Sequence, residues 1–256
     1  MSGRGALLLL ALLALAGPPA RAAELVLSLS KARVTITSNF TGDTLVLFGV
    51  IDPGTAEPSA PTDVVVTVRG PSESFTTWRK ERRFGIWVNV DSRSFLAAPS
   101  YLAVLASRPP ALIADAETLR REQAGLDNNH LLQRIGSDYA DVVREDPFRQ
   151  AFLRVKQTQG LYFERPAGVD FIAPNVFRAT IPIPGTAPIG AYEVEVKTFA
   201  DGALTGRGVL PLEVAKVDFE QTVATTAQDY PWVYGLATAL MALSVGFIAN
   251  LAFRKD

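Results

Sequence analysis

Twenty-three consecutive residues near the C-terminus, Pro231 to Phe253 (PWVYGLATALMALSVGFIANLAF), carry no charged side chain. A helix rising about 1.5 Å per residue over that length covers the roughly 30 Å hydrocarbon layer of a bilayer with some tilt. The segment therefore reads as one membrane span, with everything else folded beside the membrane. Tyr230, Trp232 and Tyr234 gather at its leading end, where amphipathic rings favour the headgroup level, and Arg254 and Lys255 follow its trailing end. This asymmetry places the body outside and the C-terminus in the cytoplasm. Asn250, the only strongly polar side chain in the span, sits near the cytoplasmic interface.

Gly235, Ala239, Ala242, Gly246 and Ala249 recur along the span at intervals of three or four. That spacing lays small residues on one helix face, where a second helix can approach closely. An alanine-rich composition supplies the same pattern without a partner, and both readings stay open.

The other end carries an address. Residues 1–22 hold Arg4, an apolar run from Ala6 to Ala16, the breakers Gly17, Pro18 and Pro19, and then Ala20-Arg21-Ala22, an A-x-A cleavage site. This is the pattern of a secretory signal peptide, too short in its apolar run to span a bilayer. Exported chains commonly use disulfides, yet this one has no cysteine. Packing and hydrogen bonds must hold it, and thiol chemistry, iron–sulfur clusters and cysteine zinc sites are excluded. A net charge of −1 gives no support for nucleic-acid binding. Arginine exceeds lysine and alanine is abundant, a bias of GC-rich bacterial genomes, so the compartments are the periplasm and the bacterial inner membrane.

Between these ends the apolar pattern has period two. TLVLFGV (44–50), DVVVTVR (63–69), Ser74 to Trp78, Ile86 to Val90, VFRATIPIP (176–184), GAYEVEVKTF (190–199) and GRGVLPLEV (206–214) read as strands, and Asp201-Gly202 as the turn of a closing hairpin. Gly70-Pro71 and the charged run Arg79 to Arg83 are the expected breaks. Tyr192, Val194 and Val196 alternate with Glu193, Glu195 and Lys197, the signature of a half-buried strand. The middle third is expected to be helical, with short helices capped by Asp115, Asp127 and Ser137, and a longer one begun by Asp146-Pro147 and closed by Gly160. The expected fold is mainly β: an immunoglobulin-like β-sandwich with an inserted helical segment over about 110–160, plus one C-terminal transmembrane helix. The layout is signal peptide 1–22, periplasmic domain 23–215, polar stem 216–229, transmembrane helix 230–253 and cytoplasmic tail 254–256. Two separate small domains are the alternative.

No residue constellation forms a recognisable active site. His130 is the only histidine, expected in a helix beside Asp127, Asn128 and Asn129, and the two methionines are the initiator Met1 and Met241 in the span, so no other soft ligand stands in the body. Asp138, Asp141, Glu145 and Asp146 would share a helix face. Residues 111–159, however, carry eight acids and seven bases, the balance of ordinary solvated helices. The densest basic feature is Trp78, Arg79, Lys80, Arg82 and Arg83, flanked by Phe84 and Trp87, which can dock an anion, a lipid headgroup or an acidic partner, or form a solvated hairpin tip. Asn39-Phe40-Thr41 matches a glycosylation sequon, a motif common by chance.

ITSNFTGDTLVLFGVI (36–51), GIWVNVDSRSFLAAPSYLAVLASRP (85–109) and YGLATALMALSVGFIANLAFRKD (234–256), in this order, resemble the alphaproteobacterial family of transmembrane proteins of unknown function. The resemblance implies the same single-anchor layout and brings no activity, cofactor or catalytic residue. It also implies an association with permeases of the sulfite-exporter type. The expected function is thus a non-enzymatic, membrane-anchored accessory or interaction protein, partnered with an inner-membrane transporter and needing no cofactor. A periplasmic solute or anion-binding module is the alternative, and an envelope hydrolase the third.

Overall fold

The computed structural model describes residues 24–37, 40–52, 61–135, 138–216 and 227–253. The signal peptide, Asn39 of the sequon, most of the stem, and Arg254 and Lys255 lie outside the described residues.

The fold is mainly β. In chain order the strands are β1 (Glu24–Leu29), β2 (Arg33–Ile36), β3 (Gly42–Asp52), β4 (Asp63–Arg69), β5 (Ser72–Arg83), β6 (Ile86–Pro99) and β7 (Leu102–Ala106). Helix α1 (Ala116–Arg121), β8 (Leu132–Ile135), β9 (Asp138–Asp141) and helix α2 (Pro147–Thr158) form the middle. Then come β10 (Tyr162–Pro166), β11 (Val169–Ala173), β12 (Val176–Pro184), β13 (Gly190–Ala200), β14 (Ala203–Lys216) and the apolar helix α3 (Pro231–Phe253). These strands make three sheets, ordered β1-β3-β12-β11, β10-β7-β4-β13-β14-β2 and β5-β6-β8-β9.

The first two sheets face each other across one core. Leu45, Leu47, Phe177, Ala179, Ile181 and Ile183 meet Val64, Val66, Val68, Tyr192, Val194, Val196, Leu212 and Val214, all buried. Gly49 stands under the Phe177 ring; an added Cβ would lie 2.1 Å from Phe177 Cζ, so the close approach of the two strands requires glycine there. The nearly continuous apolar run of β4 has a simple cause: both of its faces are covered. Val64, Val66 and Val68 point into the shared core, while Val65 joins Val104, Ala106, Phe199, Ile113, Leu119 and Ala124 on the opposite side. A strand buried on two faces cannot alternate with polar residues.

The cover over that second face is the segment around α1, and it changes the reading of β13. Glu195 and Lys197, expected in solvent, are 7% and 3% exposed. Only part of the middle third is helical, which corrects the expectation for 110–160. Asp115 caps α1 through the backbone N–H groups of Glu117 and Thr118, both at 2.9 Å, and Asp146 caps α2 through those of Phe148 and Arg149 at 2.8 and 3.2 Å. The residues expected to form helices after Asp127 and Ser137 instead make a single turn of 3-10 helix, Leu126–Asn128, and the hairpin β8–β9. Such short segments gain few helical hydrogen bonds. They gain more by pairing with each other and, through Leu132 opposite Leu96, with the edge of β6.

The charged run Arg79 to Arg83 does not break the strand as expected; it belongs to β5, and the turn is Phe84-Gly85. The strand expected from Ser74 to Trp78 thus begins at Ser72 and runs on to Arg83.

Candidate functional site

The β5–β6 hairpin has a buried root and an exposed tip. At the root, Phe75 pairs opposite Phe95, and both rings pack on Phe152 of α2 with centroids 5.5 and 4.9 Å apart. Tyr162 meets Phe152 edge-on at 5.7 Å and donates its hydroxyl to the Pro99 carbonyl. Lys156, 7% exposed, places its ammonium 3.7 Å from the Phe75 ring centroid. Burial lowers its pKa from the usual lysine value, opposed by the charge of Glu73. Arg93 joins the docking, its guanidinium 5.5 Å over the Phe148 ring and 3.3 Å from Asp146. Helix α2 thus clamps the root.

Beyond Thr77 the side chains of β5 and of the facing part of β6 up to Asp91 are exposed or half-buried. Trp78, Phe84, Ile86 and Trp87 are 55%, 105%, 65% and 69% exposed. Arg79, Lys80, Arg82 and Arg83 are exposed among them. Residues directly opposite share a face, so Arg82 stands beside Trp87 and Arg83 beside Ile86. Glu81 takes Arg79 at 3.2 Å and Arg83 at 3.4 Å, exposed pairs of small energetic weight, and Arg82 donates to the Gly85 carbonyl at 3.3 Å. All five sequence-selected residues therefore lie along the exposed outer half of the hairpin. Ile86 is the member that sequence reasoning missed; its place opposite Arg83 depends on the two-residue turn at Phe84-Gly85.

Two further charged clusters are internal. On the covered face of β13, the Glu195 carboxylate receives Arg69 at 2.6 Å, Lys197 at 3.0 Å and Arg207 at 3.3 Å. Arg207 also reaches Glu122 at 2.5 Å, Arg69 donates to Asn129, and Lys197 donates to the Glu122 carbonyl. Burial acts to raise the Glu195 pKa, but hydrogen bonds from Arg69 and Lys197 and their charge outweigh it and hold the carboxyl below its ordinary value. Lys197 is pushed down by its burial, with Glu195 opposing. Nearby, Arg149, 2% exposed, donates to three carbonyls, Val142 at 3.1 Å, Asp127 at 3.0 Å and Asn129 at 2.7 Å, and lies 3.6 Å from Asp141. It staples the 127–142 segment, lining a cleft of about 300 Å³ with Arg120, Asp127, Asp141 and Arg144. A second, open hollow of about 590 Å³ lies between β6 and the β8–β9 hairpin, walled by Arg93, Leu96, Gln133 and Tyr139.

The remaining sequence candidates are dispersed. His130 is exposed in the loop after the 3-10 turn, not in a helix. Asp138 and Asp141 lie on β9, Glu145 is exposed before α2 and Asp146 caps that helix, so the four acids share no helix face. Among the described residues, no group of three or more His, Asp or Glu is placed to hold a metal ion.

Helix α3 is long and apolar enough to cross a membrane over Pro231–Asn250. At 3.6 residues per turn, Gly235, Ala239, Ala242, Gly246 and Ala249 fall within about 80° of its circumference. A Cβ added at Gly235 or Gly246 would meet nothing within 4 Å. Thr238 donates its hydroxyl to the Tyr234 and Gly235 carbonyls, both at 3.0 Å, and Ser244 to the Leu240 carbonyl at 2.8 Å. These side-chain hydroxyls are satisfied within the helix itself, as a hydrocarbon environment demands.

A family model described as "Putative transmembrane protein (Alph_Pro_TM)" matches residues 24–255. No curated protein matches the chain. Among solved structures, the N-terminal domain of the Streptococcus gordonii adhesin Sgo0707 aligns at 8% identity with a TM-score of 0.26, covering 75% of this chain and 32% of that one. This chain therefore spans about a third of the length of the adhesin structure, and a score that low carries no argument about fold or function.

Proposed function

The chain belongs to that transmembrane protein family, and on this premise we propose that it is a non-enzymatic, membrane-anchored accessory subunit of an integral transporter in the bacterial inner membrane. The body stands in the periplasm, its two facing sheets forming an immunoglobulin-like sandwich interrupted by the 110–160 segment, and the C-terminus is cytoplasmic. The observation that carries the reading is α3: an uncharged helix whose hydroxyls are internally satisfied and whose small residues line one open face. Such a face lets a second transmembrane helix approach to backbone distance, where dispersion and weak hydrogen bonds favour association.

The test is a mild-detergent pull-down of the full-length protein from its native membrane, beside a variant carrying Gly235→Leu and Gly246→Leu. One integral membrane protein is expected to co-purify with the parent and to be lost from the variant. Co-purification that the two leucines leave unchanged would remove the α3 face from the proposal, and no specific partner at all would remove the accessory role. The anion-module reading is less favoured by the geometry, because Arg79, Lys80, Arg82 and Arg83 are exposed on alternating sides of a hairpin ribbon.

A further inference from the structure

The hairpin tip carries apolar side chains at positions where both solvation and backbone geometry act against them. Phe84 and Gly85 form a two-residue hairpin turn with φ of 51° and 86°. A turn with positive φ at both central residues matches the twist of the strands and favours Asn-Gly. A large L-residue in the left-handed region is disfavoured by contact of its Cβ with the following carbonyl. Phe84 is nonetheless there, wholly exposed, with no ring contact among the described residues; Ile86 and Trp87 are exposed beside the turn and Trp78 is exposed farther down β5. The fold does not require this phenyl ring: asparagine would build the same turn with less strain and no apolar exposure. A strained residue with no packing role directs attention to what the tip meets.

The charge at the tip narrows the choice of occupant. Residues 78–87 carry four cations, Arg79, Lys80, Arg82 and Arg83, against one acid, Glu81, within a chain whose net charge is −1. Cations interleaved with indole and phenyl rings are the composition that settles at the headgroup level of an anionic bilayer, rings at the acyl boundary and guanidinium groups among phosphates. The topology puts such a surface within reach. Gly190 pairs with Val214, two residues before β14 ends at Lys216, and an added Gly190 Cβ would lie 3.0 Å from Pro71, at the root of the hairpin. The chain leaves for α3 and the hairpin leaves the body at the same rim of the second sheet. Twelve residues of β5 extend about 40 Å at roughly 3.3 Å each, and the fourteen residues between Lys216 and Pro231, of which 227–229 are helical, can reach up to about 45 Å.

We propose that the β5–β6 tip is a second membrane contact: Phe84, Ile86, Trp87 and Trp78 enter the headgroup region of the leaflet on the body's side, while Arg79, Lys80, Arg82 and Arg83 bind its anionic phosphates. The proposal rests on the single-anchor reading of α3 but not on any transporter partner. Two attachments at one rim would fix the tilt of the body on the bilayer.

The test uses the full-length protein reconstituted into vesicles, with Trp78→Phe and Trp232→Phe leaving Trp87 as its only tryptophan. In vesicles of phosphatidylglycerol and phosphatidylcholine, Trp87 emission is expected to shift to the blue and to be quenched by lipids brominated near the carbonyl end of the acyl chain. Quenching is expected to fall several-fold in pure phosphatidylcholine, in high salt, and on Arg82→Gln plus Arg83→Gln. Phe84→Asn is the control for folding: it should weaken quenching without lowering the melting temperature, because it suits the turn better. Trp87 that stays water-exposed and unquenched in anionic vesicles overturns the proposal. So does Trp87 that is shielded from aqueous quenchers only in native membranes, which would make the occupant a protein. Because these vesicles hold no other protein, the result stands apart from the pull-down above.

Discussion

At the scale of single residues, the most consequential is Arg149. Its guanidinium, buried and lowered in pKa first by that burial and opposed by the charge of Asp141, supplies donors to the carbonyls of Asp127, Asn129 and Val142. Arg149→Met keeps much of the apolar stem and removes every donor. We expect a loss on the order of 3 kcal/mol, since unpaired buried polar groups cost about 1–3 kcal/mol each and partial rehydration recovers some of it. Denaturant unfolding of the detergent-solubilised protein checks this, and a loss under about 1 kcal/mol, the range of surface changes, would show that water replaces the guanidinium freely. Nothing in the sequence distinguished Arg149 from its neighbours on α2. Its role depends on where the 127–142 segment passes, and that is a tertiary fact.

At the scale of elements, α2 and the β5–β6 hairpin act as one unit. Both helix ends were legible from local chemistry: Asp146-Pro147 supplies the cap and the fixed φ of the first turn, and Gly160, at φ 70°, takes the left-handed conformation just past the end. Phe148, Phe152 and Val155 fall at helical spacing, yet only Phe152 is buried on the hairpin root, whereas Val155 is 51% exposed and Lys156 takes the inward position over Phe75. The sequence rule that charges face water fails here because the hairpin offers an aromatic surface to which an ammonium is attracted. Phe152→Ala should cost about 3–5 kcal/mol by emptying the space between Phe75, Phe95 and Tyr162. Its local signature is faster hydrogen exchange in the root of the hairpin than in β13 and β14; uniform acceleration across all three sheets would show that the clamp is not a separate unit.

At the scale of the whole molecule, the covered face of the second sheet links stability to pH. Glu195 has a folded pKa below its ordinary value, so it contributes stability above the unfolded carboxylate value, about 4.3, and loses it as pH falls through the folded value. Glu195→Gln should therefore lower stability at neutral pH, where Arg69, Lys197 and Arg207 lose their shared partner, and should make the acid limb of the profile shallower than the parent's. Thermal unfolding from pH 7 down to pH 3 measures both. Parallel acid limbs would show that other carboxylates dominate acid unfolding.

Local signals in the sequence determined the long apolar C-terminal helix, the body's β character, the Asp115 and Asp146 caps, the Asp201-Gly202 turn and the basic, aromatic stretch at Trp78 to Trp87. Each depends on interactions among residues close in the chain: hydropathy over a window, period-two alternation, a side chain reaching its own helix's first N–H groups. The tertiary structure alone decided the order of strands within the sheets, with the parallel neighbours β2 beside β14 and β7 beside β10, and the strand pairing of 132–141 in place of two short helices. It alone turned Glu195 and Lys197 from an exposed face into a buried ionic network. The reason is common to these cases. A short or alternating segment has nearly equal free energy in several local states, and the choice falls to whichever distant surface completes its hydrogen bonds and covers its side chains.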